Sequence, residues 1–296
     1  VVTHNAVLRG STGEAVTHVT DAYSRSLAVG DINLDGKQEL VWGGALRGPR
    51  GAVKWSTGFD GVLAWTAFIN ADGDDDGELL VIGQATHYEF DMGARVALFD
   101  PDGSTLLDAV VPHLGQPGPP CVADFDGDGQ PEVVMPTRTG TNGKGGLHQF
   151  ELDGTPGWSV DTTDISGMAG CSAFDFDDDG AFEVAFGGEE RFAIYDGRTG
   201  DTRLSFDDHH SSTGFEVPVI ADVDGDGRAD ILLTSNSELV VLSNPDWAPA
   251  GHHWAAHNYA EGAFNATSGP RLPADAAWLN GNHLRARPVG CGTPIK

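Results

Sequence analysis

The chain has 296 residues, 40% of them hydrophobic, and a formal net charge of −27. That length accommodates one large β domain or two ordinary ones, and the charge argues against nucleic acid or an anionic membrane as a partner. No apolar run approaches the length of a membrane-spanning helix, so membrane insertion is not expected.

Glycine is abundant, at 41 residues, while helix-period segments are scarce. The expected elements are therefore many short strands joined by turns. Val1 is neither an initiator Met nor the start of a signal peptide, as expected of a processed or truncated chain. Ala6 to Val16 reads as two strands around a Gly-containing turn. Ser26 to Gly30 then lead into an acidic loop, Asp31 to Glu39 with Asn33, Asp35 and Gly36, and Leu40 to Gly43 lead out. The pattern returns at Asn70 to Glu78 with Asp72, Asp74 and Asp76, and at Asp124 to Glu132 with Asp126, Asp128 and Gly129. It returns again at Asp175 to Glu183 with Asp177, Asp179 and Gly180, and at Asp222 to Asp230 with Asp224, Asp226 and Gly227. The second copy departs from the others, with Asn70 in first place and Asp75 where Gly is expected.

First positions at 31, 70, 124, 175 and 222 are 39, 54, 51 and 47 residues apart. A period near 50 built of short strands suits a four-stranded blade. The second half of the repeat also recurs: Val96 to Phe99, Leu147 to Phe150 and Phe192 to Tyr195 are each followed by a Gly-containing turn and a further strand. The reading is an all-β propeller with five loop-bearing repeats and six or seven blades in the closed ring. Ala6 to Val16 matches only the third and fourth strands of a repeat, so the chain is expected to begin in mid-blade. Three ways of completing the ring stay open: C-terminal strands, residues before Val1, or a second chain.

Side chains at alternate positions of a tight loop converge, and converging carboxylates repel unless a cation sits between them. Oxygen ligands at this density suit a hard cation, and Ca²⁺ tolerates irregular geometry better than Mg²⁺ does. Gly129 permits the positive φ that such a loop needs. A single acidic turn would be read as a solvated one; five copies favour metal. Loop positions 1, 3, 5 and 9 hold 18 of the chain's 44 acids, and five Ca²⁺ ions would bring −27 to −17. The acidity is thus chiefly a property of these loops.

Cys121, Cys171 and Cys291 are an odd number. Cys121 and Cys171 enter equivalent strands of neighbouring repeats and are candidate disulfide partners; three buried thiols is the alternative of equal weight. The repeat stops after Asn244. Residues 1–246 are read as the propeller and 247–296 as an irregular tail packed on it, with Trp247, Trp254, Tyr259, Phe264 and Trp278, able to add a strand to the last blade.

Five copies of apolar strand, D-x-[D/N]-x-D-G-x-x-[D/E], apolar strand resemble the FG-GAP or VCBS-type repeats of integrin α-subunit propellers and of secreted bacterial proteins. The resemblance covers about Ser26 to Leu242. It implies side-chain ligands at loop positions 1, 3, 5 and 9 and a main-chain carbonyl at position 7. The implied ligands are Asp31, Asn33, Asp35 and Glu39 with the Lys37 carbonyl, and Asn70, Asp72, Asp74 and Glu78 with the Asp76 carbonyl. They continue with Asp124, Asp126, Asp128 and Glu132 with Gln130; Asp175, Asp177, Asp179 and Glu183 with Ala181; and Asp222, Asp224, Asp226 and Asp230 with Arg228. Up to five Ca²⁺ ions are implied, the second site being the least regular. The EF-hand is rejected, because its position 12 is Met135 where a bidentate Glu is required and its flanks read as strands.

Other candidate chemistry is thinner. His253 and His257 would share a face of a helix, but no third metal ligand joins them and His252. His209-His210 reads as a polar loop. Trp42, Trp55, Trp65 and Trp158 could stack on sugars, although packing between blades is the commoner use of Trp in strands. Asn265-Ala-Thr267 is a glycosylation sequon. Nothing resembles a nucleophile elbow. The expectation is a secreted or cell-surface, calcium-stabilised propeller that binds protein or assembles extracellular structure, including with itself, and is not an enzyme. A lectin or a polysaccharide-cleaving enzyme on the same fold is the alternative.

Overall fold

The structure is a computed structural model; it describes residues 6–9, 11–18, 27–42, 44–59, 64–85, 93–111, 115–139, 144–212, 214–236, 238–252, 254, 278 and 284–287. Their regular structure is β, in six sheets. A two-stranded sheet, β1 (Ala6–Leu8) with β2 (Ala15–His18), comes first. Four four-stranded blades follow. Blade A holds β3 (Ala28–Gly30), β4 (Glu39–Trp42), β5 (Ala45–Arg47) and β6 (Val53–Ser56), and blade B holds β7 (Ala64–Ile69), β8 (Glu78–Gln84), β9 (Ala94–Phe99) and β10 (Thr105–Val111). Blade C holds β11 (Cys121–Ala123), β12 (Glu132–Thr139), β13 (Lys144–Glu151) and β14 (Pro156–Thr162). Blade D holds β15 (Cys171–Phe174), β16 (Glu183–Gly187), β17 (Phe192–Tyr195) and β18 (Thr202–Phe206). Blade E has β19 (Val219–Ala221), β20 (Asp230–Ser235) and β21 (Glu238–Ser243). Strands within each blade run antiparallel in chain order, the arrangement read from the repeat.

In blades B, C and D apolar side chains are buried on both faces of the first three strands, because a neighbouring sheet covers each side, whereas the third strand of blade E alternates exposed and half-buried residues. The core is accordingly a set of layers between neighbours. One layer joins blade A to blade B through Val41, Leu46, Val81 and Ala97. Another joins B to C through Leu80, Ile82, Val122 and Val133, and the next joins C to D through Ala123, Val134, Ala173 and Val184. The last joins D to E through Phe174, Ile194, Ile220 and Ile231. Fourth strands alternate exposed and half-buried residues, as in β10 and β18, because their outer edge meets water.

A recurrent contact locks successive sheets. Trp55 of blade A donates its Nε1 hydrogen to the Pro101 carbonyl of blade B at 3.0 Å, and Trp158 of blade C does the same to Gly197 of blade D at 2.6 Å. Each indole lies against a turn glycine. A Cβ on Gly103 or Gly200 would stand 2.9 or 2.8 Å from the ring, and both residues have positive φ, so only Gly fits there. Trp42 and Trp65 are buried, Trp65 donating to the Pro117 carbonyl at 3.1 Å. All four strand tryptophans serve packing; Trp42 and Trp65 are fully covered, and Trp55 and Trp158 are half-buried against the next blade.

Cys121 and Cys171 form a disulfide between the first strands of blades C and D, with Cα atoms 5.6 Å apart. Of the described tail residues, Trp247, Ala248 and Ala250 pack on blades D and E, while a later strand lies elsewhere than on the last blade. That strand, β22 (Ala286–Arg287), joins blade D, running parallel to β15. Leu284 meanwhile exchanges two backbone hydrogen bonds with Val122 of β11, at 3.0 and 3.1 Å. The reason is that the first strands of blades C and D present unpaired backbone groups on their inner edges, which residues 284–287 satisfy. His253, His257, Tyr259, Phe264, the sequon at Asn265 and Cys291 lie outside the described residues.

Candidate metal centres

All five acidic loops join the first strand of a blade to the second, and their register is the same. The last residue of the first strand pairs with loop position 9: Gly30 with Glu39, Ile69 with Glu78, Ala123 with Glu132, Phe174 with Glu183 and Ala221 with Asp230. Position 9 is thus the first residue of the second strand, pointed inward, and all five acids there are at most 2% exposed. In four loops a carboxylate oxygen of position 9 accepts the backbone N–H of position 2, from Ala71, Phe125, Phe176 and Val223, at 2.5 to 2.8 Å.

Position 1 holds the turn from the other side. Asp124 accepts from the N–H groups of Gly127, Asp128 and Gly129, and Asp31, Asp175 and Asp222 each accept two such bonds. The N–H of position 7 donates to the position 5 carboxylate in every loop, from Lys37, Asp76, Gln130, Ala181 and Arg228. Such tight winding needs left-handed backbone. Position 4 has positive φ in all five loops, at Leu34, Gly73, Gly127, Asp178 and Gly225. The sequence reading marked the glycine at position 6 and overlooked position 4, because Leu34 and Asp178 give no glycine signal there.

The carboxylates converge unequally. In loop C, oxygens of Asp124, Asp126, Asp128 and Glu132 lie within 4.8 Å of one another; in loop D so do those of Asp175, Asp177 and Glu183, and in loop E those of Asp222, Asp224 and Asp230. Loop B, the least regular in sequence, gathers Asp72, Asp74 and Glu78, with a second cluster of Asp76, Glu78 and Asp100. In loop A, Asp31, Asp35 and Glu39 form no such cluster among the described residues. There Lys54 Nζ sits 2.7 Å from Glu39 Oε1, and Lys37 Nζ lies 3.2 Å from Asp35. Loop D also has basic neighbours: Arg198 reaches Asp179 at 2.7 Å and Arg203 reaches Asp177 at 2.6 Å. In loop E, His252 Nδ1 lies 3.1 Å from Asp222, and the Ser243 hydroxyl donates to Asp230. Apart from Lys37, two residues from Asp35, these basic partners stand 15 to 30 residues from the acids they meet and were missed in sequence.

Among the described residues, no cationic group meets the position 9 acids of loops B and C. Glu78 Oε1 and Glu132 Oε1 are buried without a hydrogen-bond partner. Burial and the neighbouring carboxylates push Glu132 up to about 8, Glu78 up to about 7 and Asp76 up to about 6. Desolvation also raises Glu183 to about 7, against the opposing pull of Arg203. A buried, unpaired oxygen facing other carboxylates could hold a hard cation, and the donor set fits Ca²⁺.

A pH dependence follows. These acids bind more protons folded than unfolded between about pH 4.5 and 8, so without metal, stability falls as pH rises through that window. In chelator, the melting temperature should decline from pH 5.5 to pH 8; in excess calcium it should not. A metal-free melting temperature that rises over this range would contradict the burial described.

The His209-His210 segment is less polar than its sequence suggests. His209 is 2% exposed and lines a cavity of about 20 Å³ with Gly187, Glu216 and Leu233, and burial disfavours its charged form. His210 is exposed.

Residues 175–233, from loop D into blade E, match the FG-GAP-like repeat. No curated protein matches the chain. Among solved structures, the Vibrio cholerae biofilm matrix protein Bap1 aligns with a TM-score of 0.78 at 16% identity, over 97% of this chain and 74% of that one. The fold is a β-propeller, with an FG-GAP-like repeat at residues 175–233. The rhamnogalacturonan lyase YesW and the exotype rhamnogalacturonan lyase YesX align with this propeller at TM-scores of 0.52 and 0.53, with 16% and 14% identity. They cover 80% and 84% of the chain, which spans 51% of each lyase. At these identities the likeness is one of fold. Strands on both sides of loop C, where an EF-hand would place helices, agree with the rejection of that motif.

Proposed function

We propose that this propeller is a calcium-stabilised binding or assembly module of the cell exterior, with calcium holding the scaffold and the variable connections meeting the partner. The observation that carries the calcium part is the pair of buried, unpartnered oxygens of Glu78 and Glu132 inside converging carboxylates. The Cys121–Cys171 disulfide favours an oxidising compartment, where millimolar calcium fills even weak sites. No helix among the described residues is long and apolar enough to cross a membrane. The description of Bap1 as a biofilm matrix protein supports a role in an extracellular assembly.

A second reading, binding or cleavage of a polysaccharide, is favoured by one feature besides the lyase likeness. A cleft of about 330 Å³ between blades C and D is lined by Lys144, Asp161, Thr162, Arg191 and Tyr195. It opens at the strand ends away from the acidic loops, and it combines hydroxyl, cationic and aromatic groups. The discriminating experiment offers the calcium-loaded protein a panel of neutral and uronate polysaccharides and follows its sedimentation alone. Polymer retention or self-association without chain cleavage is the expected result. Release of unsaturated sugar ends, read by ultraviolet absorbance, would replace it with the enzymatic reading. A monomer that retains no polymer would overturn both.

A further inference from the structure

We infer that one position on the fourth strand of each blade decides whether its acidic loop takes a metal ion, and that the protein's own cations fill that role in blades A and D. The inference rests on the calcium reading above. The position is defined by register. Loop position 10 pairs with Arg47, Phe99, Phe150 or Tyr195 on the third strand, and these pair with Val53, Thr105, Pro156 or Thr202 on the fourth. In all four blades the register slips immediately after that pair. The next residue is thus displaced from the ladder by a bulge. It is Lys54 in blade A, Leu106 in blade B, Gly157 in blade C and Arg203 in blade D.

The two basic residues reach the loop of their own blade. Lys54 Nζ is 2.7 Å from Glu39, and Arg203 lies 2.6 Å from Asp177 and 3.7 Å from Glu183. Arg198 adds a second guanidinium to loop D through Asp179, while its Nε donates to the Asp126 main-chain carbonyl of loop C. The other two blades offer an aliphatic group and no side chain at all. In both of them the position 9 glutamate keeps one buried oxygen without a hydrogen-bond partner, as Glu39 Oε2 does in blade A, but only in blade A does an ammonium sit on the other oxygen of that carboxylate. Where the bulge supplies a cation it meets position 9; where it does not, two or three further carboxylates crowd around an unneutralised buried acid. An ion bound there removes that repulsion. In loops A and D an incoming ion would have to displace a fixed ammonium or guanidinium, which costs it the same attraction. Blade E has no fourth strand among the described residues; its Asp230 meets the hydroxyl of Ser243, and its Asp222 meets the imidazole of His252 at 3.1 Å, so no ammonium or guanidinium stands on its acids there. Loops B, C and E are therefore the metal sites, three per chain.

The test is the number of calcium ions held per chain after equilibrium dialysis, measured by elemental analysis, with folding checked by circular dichroism. The unmodified protein should hold three. Arg203→Met should hold four, and Leu106→Lys, at an exposed position, should hold two. Leu106 is the residue to change because a Cβ on Gly157 would collide with Gln149 Oε1. Five ions of similar affinity in the unmodified protein would overturn the inference and leave the calcium reading standing. So would folded Arg203→Met and Leu106→Lys variants with unchanged stoichiometry. A protein that binds none would overturn both.

Discussion

Removing divalent metal is expected to lower the melting temperature of this protein by about 13 °C. Binding to the native state alone stabilises it by about 2.7 kcal/mol per site when free ligand is 100-fold above Kd. Three such loops give about 8 kcal/mol. With an unfolding entropy of about 2.1 cal/mol/K per residue, the 296 residues lose about 0.6 kcal/mol per degree. The effect is large because the ions bind where the chain is least able to fold without them. Loop C brings four carboxylates within 4.8 Å of one another, on a hairpin that closes the first two strands of its blade. Differential scanning calorimetry in excess chelator, against millimolar calcium, measures the shift. A melting temperature unchanged after metal is shown to be absent would mean that backbone N–H groups alone stabilise the loops.

The second large effect concerns the bond between Cys121 and Cys171. It spans 50 residues and ties the first strands of blades C and D. For a loop of that length the chain-entropy model gives about 4 kcal/mol, a fall of about 7 °C by the same entropy. The double substitution Cys121→Ala with Cys171→Ala should show this loss in calcium as well as in chelator, because the crosslink acts on the unfolded chain and the ions on the folded one. Thiol titration of the denatured protein supplies the companion number. One reactive thiol before reduction and three after it are expected; three in both cases would mean that the pair is not joined.

The five loops were legible because their information is local. Position 1 caps the turn, position 9 begins the next strand, and both lie within nine residues, so a carboxylate spacing in Asp124 to Glu132 already implies the convergence seen there. The inter-blade role of Trp55 and Trp158 was partly legible, since buried Trp in a strand needs a polar partner for its Nε1 hydrogen. The partners, the carbonyls of Pro101 and Gly197, come from the next blade. What the reading lacked was the strength of each loop. The sequence ranks the copy at Asn70 lowest because it departs from the pattern, yet its carboxylates converge and those of the regular copy at Asp31 do not. Loop A has an amide, Asn33, where loops D and E contribute their middle carboxylate, and its Glu39 is engaged by Lys54 from the fourth strand of the blade.

The sequence by itself determined the all-β class, the repeat, the order of strands within a blade and the identity of the acidic loops. Each of these follows from alternation, spacing and turn chemistry along a short stretch of chain. Only the tertiary structure decided which loops already hold a cation of their own, which cysteines join, and that residues 284–287 pair with the first strands of blades C and D. Those outcomes depend on groups 15 to more than 100 residues apart in the chain. They are brought together by a bulge on one strand, by two neighbouring first strands and by an unpaired sheet edge, none of which leaves a mark in local pattern.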